Sequence, residues 1–265
     1  MTGSPLKKTG CHTETVQLTL FAFVVLAGSM RAENPLKVVP MKMGPEQVAH
    51  MFAQQPPAFE ACAAAGFEVC PDGFGAPDVS LRWVQLDDGP ELEAIVTTKG
   101  PGGYVGYLFD HRGSVWNRIG PFMFFREYEG NDLFRVKKLT KDSPTVLIFT
   151  RDLGGSASTI VTTTAYHLRE GKLFPVFEVT PMQWSGLPPP ERMEHSEVLA
   201  SKDRLVTHKV EEVEKKATHT CEVHRWDANV HEFVAAPADR TAYCDLKTGK
   251  PIPGKAYASG IPAFP

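Results

Sequence analysis

The stretch "VQLDDGPELEAIV", Val84–Val96, holds four carboxylates, three of which, Asp87, Asp88 and Glu91, form an acidic loop around one Asp-Gly pair. Carboxylates spaced along a loop are the chemistry of calcium, which takes six to eight oxygens, commonly from alternate residues of a loop about a dozen long. Three carboxylates fall short of that set. The stretch therefore reads as a tight turn between strands, with Gly89 expected to supply the positive φ of an Asp-Gly turn. On this reading calcium is disfavoured and no cofactor is implied.

"HTCEVH", His219–His224, holds residue types that bind metals. Side chains alternate faces along a strand, so His219 and Cys221 point one way and His224 the other. The two histidines cannot share an ion, and a strand is expected in place of a zinc or copper site. "LGGSAS", Leu153–Ser158, puts Ser156 in a glycine-rich turn. A nucleophile elbow needs G-x-S-x-G between a strand and a helix, and Ser158 stands where the last glycine belongs, so a hairpin is expected. A hydrolytic site assembled only by the fold would draw on Asp110, His111, Asp152 and His167. Trp83, Trp116 and Trp226 fall in strand-like runs and are expected in the core, as is the "FMFF" cluster, Phe122–Phe125. Trp184, in a connector rich in proline, and Tyr104, in the loop "KGPGGYVG", are the aromatic residues expected to meet a partner.

The elements that would position these residues begin after a distinct leader. Residues 1–32 combine Lys7 and Lys8, the apolar run "LTLFAFVVLA" and the small residues of "GSMRA", the layout of a secretory signal peptide. Ten apolar residues are too few for a membrane-spanning helix. Cleavage is expected after Ala32 or after Ser29, leaving no stable membrane span. Of 28 basic and 31 acidic residues, the leader carries Lys7, Lys8, Arg31 and Glu14, so 25 and 30 remain, a net charge of -5 that disfavours nucleic acid. Cys62, Cys70, Cys221 and Cys244 lie beyond the leader, and an even count there implies two disulfides in an oxidising compartment. The most local of the three possible pairings is Cys62–Cys70 with Cys221–Cys244. Localisation is expected to be secreted or periplasmic.

Residues 33–78 form an N-terminal segment of one or two short helices, from Pro45 to Ala65, followed by the turn-rich "CPDGFGAPD". From Val79 to the end the chain reads as a β-repeat domain, residues 79–265. "YLFDHRGSVWNRIG", "YHLREGKLFPVFEV" and "HRWDANVHEFVAAP" share a strand–turn–strand pattern, and their turn residues Gly113, Gly171 and Asn229 recur at intervals of 58 residues. Extended upstream, each unit reads as a four-stranded antiparallel meander. The fold class is thus mainly β: repeated meanders, propeller-like or packed as a sandwich or open barrel, with a short helical N-terminal segment.

"LDDGPELEAIV" followed by "YLFDHRG" resembles the FG-GAP and VCBS type of extracellular propeller repeat, in which an acidic loop precedes a strand opening on an acidic residue. Asp87, Asp88, Gly89 and Glu91 match the end of that loop, and Leu92, Ala94 and Ile95 match the strand. The resemblance covers some thirty residues. The corresponding segments of the other units, "RDLGGSAS" and "KVEEVEKK", depart from it, one with a single carboxylate and one with opposing lysines. The combined expectation is an exported, non-catalytic protein that binds a protein or glycan partner in the envelope or outside the cell. An extracytoplasmic hydrolase and a metal-binding module are the alternatives.

Overall fold

The structure is a computed structural model that describes residues 36–54, 58–71, 78–100, 103–124, 133–152, 158–185, 192–259 and 261. Residues 1–35, Leu153–Ala157 of the glycine-rich stretch, Pro101–Gly102, Phe125 and residues 186–191 of the proline-rich connector lie outside them, as do the side chains of Ala58, Phe59, Phe124 and Asp152. Strand β1 (Val38–Met41) is followed by helices α1 (Pro45–Ala53) and α2 (Ala58–Ala64). Helix α1 starts where Gly44 donates its N–H to the Gln47 side chain, with Pro45 preset at the first helical position. Val48 and Phe52, one turn apart, are its buried face. The helix stops ahead of Pro56 and Pro57, which cannot continue it.

The first sheet adds β2 (Val79–Val84), β3 (Glu93–Gly100), β4 (Gly103–Arg112) and β5 (Val115–Phe124) in the order β1-β5-β4-β3-β2. Alternation along β3 and β4 gives it two apolar faces. Ala94, Val96, Val105, Tyr107 and Phe109 pack against Val48, Phe52 and Phe67 beneath the helices. Ile95, Leu108, Ile119 and Phe122 face the second sheet and meet Leu147, Phe149, Tyr166 and Leu173. Phe122, Phe149 and Tyr166 stack across that seam with ring centroids 5.2 and 4.9 Å apart. Each fully buried side chain of this size contributes roughly 1.5–3 kcal/mol relative to exposure.

The second sheet runs β6 (Arg135–Lys138), β7 (Thr145–Asp152), β8 (Ser158–Arg169), β9 (Lys172–Ser185), β10 (Arg192–Ala200), β11 (Arg204–Val213), β12 (Lys216–Asp227) and β13 (Glu232–Ala235), each paired antiparallel with the next. It curls so that Phe233 of β13 comes back to Phe177 of β9, ring centroids 5.8 Å apart. A 3-10 turn (Pro237–Asp239), a short helix α3 (Arg240–Tyr243), the hairpin β14 (Cys244–Asp245) with β15 (Lys250–Pro251), and β16 (Tyr257–Ala258), which pairs with β10, complete the chain. Among the described residues the strands form open antiparallel meanders, not a closed barrel.

The repeat's turns stand where the 58-residue interval places them, joining β4 to β5, β8 to β9 and β12 to β13. In the second and third units the expected second and third strands are one continuous strand, β8 and β12, since neither holds an insertion like "KGPGGYVG". Trp184 is not in a loop: β9 runs through it to Ser185, where it pairs with Thr159 and Met193. Both disulfides form as expected, Cys62–Cys70 and Cys221–Cys244, with Cα atoms 5.8 and 5.9 Å apart.

The turn between β11 and β12 holds Glu214 at φ 49° and Lys215 at φ 65°. Left-handed backbone costs a residue bearing Cβ about 1–2 kcal/mol. Lys215→Gly is therefore expected to stabilise the protein by about 0.5–1 kcal/mol, the gain in the turn being partly offset by the freer unfolded chain, as a urea titration would show.

Candidate functional site

The loop from Gln85 to Leu92 and the ends of β3 and β4 form a cleft of about 360 Å³, lined among others by Asp87, Glu91, Glu93, Asp110, His111 and Arg112. The loop is held by its own polar groups. Glu93 accepts the Leu86 N–H at 2.8 Å, Asp87 Oδ1 accepts the Gly89 N–H at 2.7 Å, and the Gln85 amide donates to the carbonyls of Asp87 and Gly89. The expected positive φ at Gly89 is not found. A Cβ there would lie 2.7 Å from Asp87 Oδ1, so any side chain would have to displace the carboxylate that accepts the Gly89 N–H, and it is this approach, not the backbone angle, that favours glycine.

Alternation then divides the cleft. Glu93 and Asp110 point toward the seam between sheets and are 2 % and 3 % exposed. Burial raises the Asp110 carboxyl above its ordinary range, a rise opposed by the hydrogen bond and charge of Arg112 and helped by Asp87. Asp110 Oδ2 accepts from Arg112 Nε at 2.5 Å, while Arg112 also faces Asp87 at 3.7 Å. Gly171, at φ 73° in the β8–β9 turn, rests on this pair: a Cβ would stand 3.0 Å from Arg112 Nε and 3.2 Å from Asp110 Oδ2.

Glu93 is likewise raised, by burial first and by the charges of Asp87 and Asp110, against the hydrogen bond from Leu86. A carboxyl raised in the fold contributes stability fully present below its unfolded pKa and lost as pH rises through the folded one. Glu93→Gln keeps an acceptor for Leu86 without the buried charge. It is expected to be more stable than the parent at pH 7, with the difference closing as the pH falls toward 4, in paired thermal melts.

His111, one residue on, lies on the opposite face of β4. Its Nδ1 is 2.6 Å from Glu91 Oε2 and its ring is 4.5 Å from that of Trp116. Trp116 in turn lies 6.1 Å from Trp83, which is 43 % exposed. The Trp116 indole closes over Gly44, where a Cβ would be 3.1 Å from Nε1. The result is a ladder, Trp83–Trp116–His111–Glu91, that leads from the uncovered end of the helix-bearing face into the cleft. Trp83 is therefore not the core residue its strand position implied: β2 is an edge strand, and Trp83 lies outside the cluster packed beneath the helices.

The hydrolytic candidates are divided among different environments. Asp110 is buried against Arg112, and His111 faces the other way. His167 lines a small separate recess with His231; burial, then the charges of His231 and Arg169, lower its pKa against the pull of Asp88 and Asp87. The Asp152 side chain lies outside the described residues. Trp184 is half-buried in β9. Tyr104 is half-buried beside the inter-sheet core and donates its hydroxyl to Asp78 at 2.6 Å.

His219 and His224 point apart as alternation requires, but His219 has a partner the spacing does not reveal: its Nδ1 is 3.2 Å from Nε2 of His208 on β11. Among the described residues no group of three or more His, Cys, Asp or Glu is placed to hold a metal ion, and no helix is long and apolar enough to cross a membrane. Compared with family models, with curated proteins and with solved structures, the chain gives no match in any of the three.

Proposed function

We propose that the chain is an exported, non-catalytic binding protein whose ligand is a glycan, held by the Trp83–Trp116–His111 ladder and the polar cleft beside it. The exposed indole of Trp83 at the head of that ladder carries the reading. A sugar ring offers C–H groups on its faces and hydroxyls at its rim. His111, where the aromatic ladder ends, also lines the cleft with Glu91, Asp87 and Arg112, so the ladder offers a stacking surface and the cleft it leads to offers hydrogen-bonding groups. The two disulfides favour an oxidising compartment, in keeping with the export that the leader implies. The resemblance to extracellular propeller repeats agrees with this reading but rests on one hairpin.

The hydrolase reading draws on the raised carboxyls of Glu93 and Asp110, since perturbed acids in a cleft are catalytic candidates. Their near-complete burial weighs against it. Glu93 is bonded to Leu86 and Asp110 to Arg112, so both shape the cleft wall instead of facing a substrate. Screening the purified protein on immobilised envelope and extracellular polysaccharides, beside a broad hydrolase screen, separates the two. Retention that weakens at least tenfold in Trp83→Ala, with no turnover, is expected. A turnover abolished by His167→Ala in a protein that still melts cooperatively would overturn the binding reading.

A further inference from the structure

The cross-strand histidine pair lies far along the second sheet from the cleft and is used by nothing described so far. His208 on β11 is in register with Cys221 on β12, and His219 is two residues before that cysteine, so both rings stand on one face. They stack at 5.3 Å with 19° between planes. On the neighbouring strand β10, Glu197 is in register with His208, and its Oε1 is 2.8 Å from His208 Nδ1. The β14–β15 hairpin closes the other side, Gly249 abutting the His219 backbone and Cys244 tying the hairpin to Cys221.

We propose that His208 Nε2 and His219 Nδ1 together bind one divalent late transition ion of the zinc and copper class, with water completing its coordination. Two nitrogens at roughly 2.0–2.1 Å from a tetrahedral ion stand about 3.3 Å apart, and these stand 3.2 Å apart. Glu197 fixes the tautomer. A carboxylate accepting the Nδ1–H of His208 leaves its Nε2 lone pair free to ligate, the outer arrangement that ligating histidines ordinarily have. With His208 Nδ1 protonated toward Glu197, the 3.2 Å contact is a hydrogen bond in which His219 Nδ1–H donates to that lone pair. Taking up an ion moves the His219 proton from Nδ1 to Nε2, so the neutral pair binds without net proton loss, whereas a protonated pair must first release one. Lys250 repels the ion, and the Glu197 charge opposes that repulsion. Imidazole nitrogens favour zinc, nickel and copper over magnesium and calcium.

Thermal unfolding of the full chain at pH 7.5 with added Zn2+ tests this. At an ion concentration a hundredfold above the dissociation constant, Tm is expected to rise by about 5 °C or more. The rise should vanish in His219→Gln, shrink in Glu197→Gln, disappear at pH 5 and be absent with Mg2+. Lys250→Ala should tighten zinc binding roughly two- to fivefold. No zinc shift in the parent protein, or an equal shift in His219→Gln, overturns the proposal. Should His219→Gln fail to fold, Lys250→Ala decides: an unchanged zinc affinity overturns it.

Discussion

Arg118→Ala is expected to lower the free energy of unfolding by about 2–5 kcal/mol, because it removes a wholly buried side chain packed on two aromatic rings and takes a donor from the Gly66 carbonyl, while the exposed Glu68 keeps Lys37. Arg118 is wholly buried in β5. Its guanidinium donates to both Glu68 oxygens, at 2.8 and 3.1 Å, and to the Gly66 carbonyl at 3.0 Å. It lies over the rings of Phe67 and Tyr107, 4.6 and 5.1 Å from their centroids, and so fastens the segment after α2 to the sheet. Burial pushes the Tyr107 phenol up to about 12, and that hydroxyl binds the Val69 backbone beside the pair. Burial acts to raise the Glu68 carboxyl, but the Lys37 hydrogen bond, a backbone hydrogen bond and the charges of Arg118 and Lys37 outweigh it and hold the group below its ordinary range. A lowered carboxyl contributes stability present above its unfolded pKa and lost as pH falls through the folded one. Urea titrations at pH 7 and at pH 3 should therefore show the penalty of Arg118→Ala shrinking in acid. A loss under 1 kcal/mol at pH 7 would mean that the arginine does not hold this face.

The second large effect is expected from Cys221→Ala with Cys244→Ala, about 3 kcal/mol for a closed loop of this length. The bridge spans 23 residues and ties β12 to the C-terminal hairpin. Both cysteines are buried with Val206, Val223 and Ala236. Amide exchange should speed up across 236–259 before it does in β7 or β8, because the hairpin has few other buried apolar contacts. Uniform acceleration through the whole chain would argue that the hairpin is not a separate unit of stability.

What could be seen in the sequence was what local spacing encodes. Gly113, Gly171 and Asn229 mark hairpins because a reversal needs turn residues wherever it falls. Val48 and Phe52 mark a helix face, and β2 begins at Val79, where the turn-rich stretch ends. The short loop between Cys62 and Cys70 made their pairing legible. What could not be seen depends on which strands become neighbours. His208 meets His219 only because β11 pairs with β12 in one register. Glu93 comes beside Asp110 only through the pairing of Ala94 with Phe109. Trp83 and Trp116 come together from strands at opposite sides of the sheet, so their exposure could not be read from the strand each occupies. The glycine of the acidic loop shows a third kind of difference. Its type was informative, but space against a side chain and a positive φ ask for the same residue, and only coordinates separate them.

The binding claim is tested most directly by isotherms for one retained glycan against the parent protein, Trp83→Ala and Trp184→Ala, each confirmed to be folded by its melt. The ladder account predicts that Trp83→Ala weakens affinity at least tenfold, about 1.4 kcal/mol or more, while Trp184→Ala stays within a factor of two. Equal affinities for the parent and Trp83→Ala, or a loss confined to Trp184→Ala, would contradict it.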